Sequence, residues 1–132
     1  FWSVCLSIVI TLVIQSFVSI DRPEDYIKAS WKLLLNHLPD ASFPSDHASV
    51  SFACLASLFF ANYKKIAYYF SPFVIMMNLA RIIAGVHWPF DILMGAVVGI
   101  WSAYIIWKWA IELKFVKKMN LFIIKVASYI KL

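Results

Sequence analysis

Apolar residues come in four long runs, separated by short clusters where charge and proline return. Residues 1–20 hold no charge, and Gln15 is the most polar among them. At about 1.5 Å per residue, such a run matches the roughly 30 Å of a bilayer's hydrocarbon core, which predicts a membrane-crossing helix. It stops at Asp21-Arg22-Pro23, where charge reappears and proline ends the helix. Residues 24–38 mix charge with Tyr26, Trp31 and Leu33-Leu34-Leu35, the pattern of a short amphipathic segment in the headgroup layer, and 39–44 read as a loop. A second span is predicted over 45–63, capped at its start by Ser45 or Asp46 and closed by Lys64-Lys65. A third covers 66–84, with Pro72 as a kink, Arg81 near its far end and Gly85 as its stop. The fourth begins with Pro89 in its first turn and runs to Trp107. Residues 111–132 carry too many lysines for a span and read as a cytoplasmic surface helix.

Composition agrees with the pattern. Of 132 residues, 63% are hydrophobic and 14% charged, and the mean hydropathy is +0.80. A soluble domain of this length leaves roughly a third of its unfolded surface exposed and has nowhere to hide so much apolar area. The expected class is an all-α integral membrane bundle, one domain over 1–132 with four spans and a lysine-rich tail at 111–132. Cys5 and Cys54 both sit in apolar runs, so they read as small buried hydrophobes rather than a disulfide or metal pair. The chain opens on Phe1 with no charged segment before it, which reads as a missing natural N-terminus rather than a signal peptide.

The net charge of +5 is unevenly placed. Four spans put Asp21, Asp46, Arg81 and Asp91 at one face, with Lys64-Lys65 and the tail at the other. The first face carries four Lys and Arg against six acids, and the second carries eight lysines against one acid. Lysine and arginine mark the cytoplasmic side, so the acidic face is expected outside. No basic-aromatic interleaving of the nucleic-acid kind is present. Five of the six tryptophans (Trp2, Trp88, Trp101, Trp107 and Trp109) read as interface or packing aromatics rather than a ligand cage. His37 has no motif around it and reads as a surface residue.

The chemistry concentrates in Ala80-Arg81-Ile82-Ile83-Ala84-Gly85-Val86-His87-Trp88-Pro89-Phe90-Asp91. An arginine near mid-bilayer costs about 2.5–3.5 kcal/mol on insertion scales, so this one needs a partner or a task. Phe43-Pro44-Ser45-Asp46-His47 and Asp21-Arg22-Pro23 are two further polar clusters predicted at the same face. Ser45-Asp46-His47 begins a helix, whose free N–H groups and positive dipole end favour an anion. Arg22 and Arg81 add guanidinium forks that match phosphate oxygens. With Trp88 as the cap and Pro89 as the first helical residue, Asp91 falls at the third position and can reach back. A carboxylate on one nitrogen of His87 would fix its tautomer and leave the other free to attack, with His47 free to move a proton. These parts suit phosphoryl transfer. Taken singly, each has an ordinary reading: Asp21-Arg22 as a flanking pair, Ser45-Asp46 as a helix cap, His87 with Asp91 as a packed interfacial histidine. Their joint order and spacing favour the chemical one.

Those three clusters resemble the motifs of the membrane-bound phosphatidic acid phosphatase type 2 (acid phosphatase/vanadium haloperoxidase) superfamily. The family pattern is K-x6-R-P, P-S-G-H and S-R-x5-H-x3-D. Here it reads Gln15-x6-Arg22-Pro23, Pro44-Ser45-Asp46-His47 and Ala80-Arg81-x5-His87-x3-Asp91, spread from Gln15 to about Gly95. The run from Asp40 to His47 is similar to bacterial undecaprenyl-diphosphatases of the bacitracin-resistance type. There are three departures. Gln15 replaces a lysine, removing a positive charge, so that Arg22 and Arg81 would carry more of the load or another cation such as Lys28 would help. Asp46 replaces a glycine, as in the similar diphosphatases, and is expected to cap the helix or bind an arginine. Ala80 replaces a serine.

The resemblance implies a six-span protein of which this chain holds the last four spans. It also implies metal-free, cofactor-free hydrolysis of the terminal phosphate of a polyprenyl diphosphate at the outer face of a bacterial cytoplasmic membrane. In this family His87 would attack phosphorus and form a phosphohistidine, and His47 would protonate the leaving group and then activate water. Asp91 would orient His87, while Arg22, Arg81, Ser45, Asp46 and Gln15 would line the phosphate site. The implied partners are the lipid substrate and the bilayer, with no nucleic acid. A phosphatidylglycerophosphate, phosphatidic acid or lipid A phosphatase is the alternative within the class, and a non-catalytic phospholipid-binding protein is the alternative outside it. Vanadate-dependent halide oxidation does not suit so hydrophobic a chain.

Overall fold

The computed structural model describes residues 1–23, 42–110 and 113–129. The amphipathic segment expected at 24–38, with Lys28 and His37, lies outside them, as does Asp40. Among the described residues, every regular element is helical: α1 (Trp2–Phe17), α2 (Asp46–Phe60), α3 (Lys64–Ile83), α4 (Pro89–Ile105) extended by a π-helical turn (Ile106–Ala110), and α5 (Lys114–Tyr129). Two stretches are long and apolar enough to cross a membrane, Lys64–Ile83 and Pro89–Trp109, while Trp2–Phe17 and Asp46–Phe60 are apolar but shorter.

α1 ends three residues before the sequence pattern predicts. Val18 is extended, and the Ile20 carbonyl leaves the helix to accept a hydrogen bond from the Ser42 N–H at 3.0 Å. The chain so released carries Arg22 toward the core. Lys64 and Lys65 do not close the second helix; they open α3, and the Lys64 ammonium lies over the Phe59 ring, 5.5 Å from its centroid. Pro72 sits inside α3 without ending it. A proline there removes a donor from the Tyr68 carbonyl, and the Ser71 hydroxyl donates to that carbonyl instead, at 2.9 Å.

The packing is inverted relative to a soluble protein. Buried positions are small or polar, among them Ser3, Ser7, Thr11, Ala48, Ser49, Ala53 and Ser102, while Leu12, Val13, Phe70, Phe73, Met76, Leu93 and Trp101 face outward. Small residues let helix backbones approach, and outward apolar side chains are what lipid accepts. This is the arrangement of a membrane protein. It also corrects one sequence expectation: Cys54 is exposed and Cys5 half-buried, both as free thiols, because apolar runs here face outward as often as inward.

α2 is the central element and packs most extensively against α4. At Gly95 an added Cβ would stand 2.5 Å from the Ser45 carbonyl oxygen and 2.7 Å from the Ala48 Cβ; at Gly99 it would meet the Ser49 carbonyl and stand 2.8 Å from the Ala53 nitrogen. Only glycine permits that approach. On its other sides α2 is held by buried polar ties. Thr11 Oγ1 of α1 donates to Ser49 Oγ at 3.1 Å, and Asn78 Nδ2 of α3 donates to Ser51 Oγ at 3.1 Å.

Candidate active site

Three short stretches meet at one end of the bundle, two of them the described ends of the segment between α1 and α2, and local sequence explains each. α3 stops in a Schellman motif: the Gly85 N–H bonds the Ile82 carbonyl at 3.0 Å and the Val86 N–H bonds the Arg81 carbonyl at 3.2 Å. Gly85 takes φ 73°, the left-handed conformation that such an ending requires. The turn buries Val86 and His87 and delivers the chain to α4 within a few residues. Trp88 is the cap of α4, Pro89 its first residue, and the Asp91 carboxylate accepts from the Trp88 N–H at 2.8 Å, as the spacing predicts.

The second connection, residues 42–45, is clamped onto this start. Phe43 stacks on Phe90 with ring centroids 5.5 Å apart, and the Ser45 N–H donates to the Asp91 carbonyl at 3.1 Å. The third, residues 18–22, is held by the bond from Ser42 to Ile20 and by Trp88 Nε1, which donates to the Asp21 carbonyl at 3.0 Å. Arg22, only 6% exposed, then donates from Nη1 to the Val86 carbonyl at 3.3 Å.

His87 lies at the junction and is 1% exposed. Its Nδ1 is 3.1 Å from the Ser42 carbonyl and 3.5 Å from Asp91 Oδ2, and its Nε2 is 3.4 Å from Arg81 Nη2. The nearer acceptor for Nδ1 is thus a backbone carbonyl, where sequence reasoning expects the carboxylate. With the proton on Nδ1, Nε2 carries the lone pair and faces the guanidinium. Burial pushes the imidazole below the ordinary histidine range; Arg81 and then Arg22 push it further, while Asp91 and the Ser42 carbonyl pull partly back. His87 is therefore held neutral, the form in which a histidine can act as a nucleophile.

Ser45 is the N-cap of α2 by position, but its hydroxyl makes no capping bond. That Oγ is buried and, among the described residues, has no hydrogen-bond partner. It lies beside the first-turn N–H groups of α2, which have no acceptor within the helix. Gln15 reaches the same loop: Nε2 donates to the Pro44 carbonyl at 3.0 Å and lies 3.5 Å from Asp46 Oδ1. Asp46 is thus approached by the amide that stands where the family pattern has lysine. His47 is exposed on the first turn of α2. With Asp46 it lines a groove of about 460 Å³ whose other walls are Ile8, Thr11 and Leu12 of α1, Val50 and Ser51 of α2, and Met77 of α3.

Arg22, Arg81, His87, Asp91 and Ser45 are thus joined through direct or one-step contacts, while Asp46 and His47 line the groove and Gln15 reaches Asp46. Ser42 is the residue that sequence reasoning missed. Its only signal is its place in the run from Asp40 to His47, since it bears no charge. Among the described residues, no group of three or more His, Cys, Asp or Glu side chains has the arrangement to hold a metal ion.

A sequence model of the PAP2 superfamily matches residues 1–114. The chain is 35% identical over 86 residues to the bacitracin transport permease protein BcrC of Bacillus licheniformis, covering 65% of this chain and 42% of the relative. It is 31% identical over 89 residues to undecaprenyl-diphosphatase BcrC of Bacillus subtilis strain 168, covering 67% and 46% respectively. The chain spans about half the length of the curated relatives it matches. No solved structure matches it significantly.

Proposed function

The chain belongs to the PAP2 superfamily, and on that premise we propose that it is a membrane lipid phosphatase that removes the terminal phosphate of a polyprenyl diphosphate such as undecaprenyl diphosphate. The observation that carries this reading is the buried, neutral His87, whose Nε2 faces Arg81 at 3.4 Å and whose protonation Arg22 also opposes. A neutral nucleophile ringed by cationic and neutral donors is the arrangement that transfer of a phosphoryl group calls for.

In this mechanism Nε2 attacks the terminal phosphorus while the bond from that phosphorus to the bridging oxygen breaks. His47 gives its proton to the leaving lipid phosphate. A phosphohistidine remains on His87. His47, now neutral, takes a proton from water as the water attacks phosphorus, and the P–N bond breaks to free inorganic phosphate. Arg22, Arg81, the Ser45 hydroxyl and the first-turn N–H groups of α2 hold the phosphoryl oxygens as charge builds. Each such donor is worth about 10²–10³ in rate. The groove beside His47, walled by Ile8, Leu12, Val50 and Met77, suits the apolar chain of a lipid. This reading includes four spans of a longer bundle in a bacterial cytoplasmic membrane, with the site outside.

Phosphate release is the test. Full-length protein in detergent with EDTA is given undecaprenyl diphosphate, phosphatidic acid and phosphatidylglycerophosphate, in wild-type and His87→Ala forms. Release from the diphosphate that survives EDTA and disappears in the variant supports the proposal. Preference for a monoester lipid keeps the chemistry and changes the substrate. Folded protein that binds these lipids and releases no phosphate overturns the enzyme in favour of a lipid-binding role.

A further inference from the structure

α3 carries Arg81 to the site, yet the bundle encloses little of that helix. Of its twenty residues only Ala67 and Asn78 are buried, and it packs chiefly against α2. Asn78 is 2% exposed and lies in the otherwise apolar run Val74-Ile75-Met76-Met77-Asn78-Leu79, where a polar side chain is costly unless it has a task. Its Nδ2 donates twice, to the Val74 carbonyl one turn back at 2.8 Å and to Ser51 Oγ of α2 at 3.1 Å. A carbonyl can only accept, so Val74 fixes which end of the amide faces it. Ser51 Oγ in turn donates to the Ala48 carbonyl at 3.2 Å. Ala48 is fully buried where α2 passes Gly95 of α4. The other end of the amide, Asn78 Oδ1, is buried and has no hydrogen-bond partner among the described residues.

We infer that Asn78 is a positioning residue for the proposed reaction: it fixes α3 on α2 at the register that brings Arg81 to His87. Arg81 lies three residues further on, on the same face of the helix, and its Nη2 is 3.4 Å from His87 Nε2. The chain of bonds from Asn78 through Ser51 to Ala48 runs from that face to the seam between α2 and α4. The same seam holds the start of α4, where the Ser45 N–H donates to the Asp91 carbonyl. The Gly85 turn joins α3 to α4 at one end but leaves the helix free to pivot about it. A hydrogen bond one turn below Arg81 removes that freedom. Stability alone does not account for the residue. An apolar side chain of the same volume would leave no unsatisfied acceptor behind, but it would not give a directional bond. The inference rests on His87 being the nucleophile and Arg81 a phosphate donor.

Asn78→Leu removes the bond from one side and Ser51→Ala from the other. In full-length protein in detergent, each should lower kcat for the lipid diphosphate about tenfold, as a misplaced group does. A nitrogen-15 titration of the His87 ring reads the place of Arg81 without any substrate. Arg81 opposes protonation of that ring, so its withdrawal moves the titration up toward the ordinary histidine range in both variants. The other charged groups facing the ring, Arg22 from the segment after α1 and Asp91 from α4, are the same in every sample. Ser51→Thr, which keeps the hydroxyl, leaves the titration in place. Asn78→Leu combined with Arg81→Gln gives the titration and the rate of Arg81→Gln alone. An unchanged His87 titration in both Asn78→Leu and Ser51→Ala overturns the inference, whatever the loss of rate or stability, and leaves Asn78 as a packing tie. So does a further upward shift when Asn78→Leu is added to Arg81→Gln. The expected shifts in a protein that hydrolyses no lipid would uphold the placement of Arg81 and overturn only the phosphatase reading.

Discussion

At the scale of single residues, the environment of His87 sets a sign that experiment can read. The unfolded chain protonates a histidine near pH 6.5, whereas the folded site resists protonation because of burial and the two arginines. Between the lowered value and 6.5 the unfolded state binds more protons, so folding loses stability as pH falls through that window. The neutral form is the active one. The acid limb of kcat/KM is therefore expected only below the ordinary histidine range, and any alkaline limb belongs to the general acid, His47. Arg81→Gln removes the larger of the two cationic influences. It should raise the acid limb toward 6.5 while lowering the plateau by about 10²-fold through the lost phosphate contact, and a pH–rate profile of both proteins checks the two effects together. The histidines, arginines and Asp91 were legible in the sequence because a charged or titratable group in an apolar run has few ordinary explanations. Ser42 was not, because serine is common and its effect here comes from a carbonyl that every residue carries.

At the scale of elements, the site depends on how close α2 lies to α4. The N-terminus of α2 meets the start of α4, where the Ser45 N–H bonds the Asp91 carbonyl, only because Gly95 and Gly99 leave room for the α2 backbone. Gly95→Ala and Gly99→Ala each place a methyl group against backbone atoms that cannot swing aside. Overpacking of this kind costs about 1–3 kcal/mol, which unfolding in detergent should show for both variants. Gly95→Ala should lose phosphate release more severely than Gly99→Ala, since its nearest obstacle is the Ser45 carbonyl itself, whereas Gly99 meets the helix one turn further on. Equal activity losses would place the effect in general stability and not in the position of Ser45. The helices were legible from hydrophobic runs and the stops at Gly85 and Pro89 from local chemistry. The early end of α1 was not, since it answers to a hydrogen bond from Ser42 across a gap of 22 residues.

At the scale of the molecule, charge divides the bundle into two ends. Asp21 lies at the end that holds His87, while Lys64 and Lys65 begin α3 at the other. α5 also belongs to that second end, where Asn120 accepts a hydrogen bond from Trp2 Nε1 at 3.0 Å. If the lysine-rich end is cytoplasmic, then in full-length protein with Cys5 and Cys54 replaced by Ala, Asp21→Cys should react with an impermeant thiol reagent in intact cells. Tyr63→Cys should react only after permeabilisation. The reverse pattern would turn the site to the cytoplasm and exclude an outer-leaflet substrate.

The sequence by itself determined that the chain is helical, built from long apolar runs and supplied with side chains that suit phosphoryl transfer, since these follow from hydropathy, local turn chemistry and motif spacing. Only the tertiary structure decided which atoms meet. The carbonyl that holds His87, the Ser42 hydroxyl on Asp91 and the engagement of Gln15 with Pro44 all join residues at least 29 positions apart. Backbone carbonyls and N–H groups are the same at every position, so sequence pattern carries no record of them. Folding chooses among them by bringing particular ones within 3 Å or so of a side chain that needs a partner.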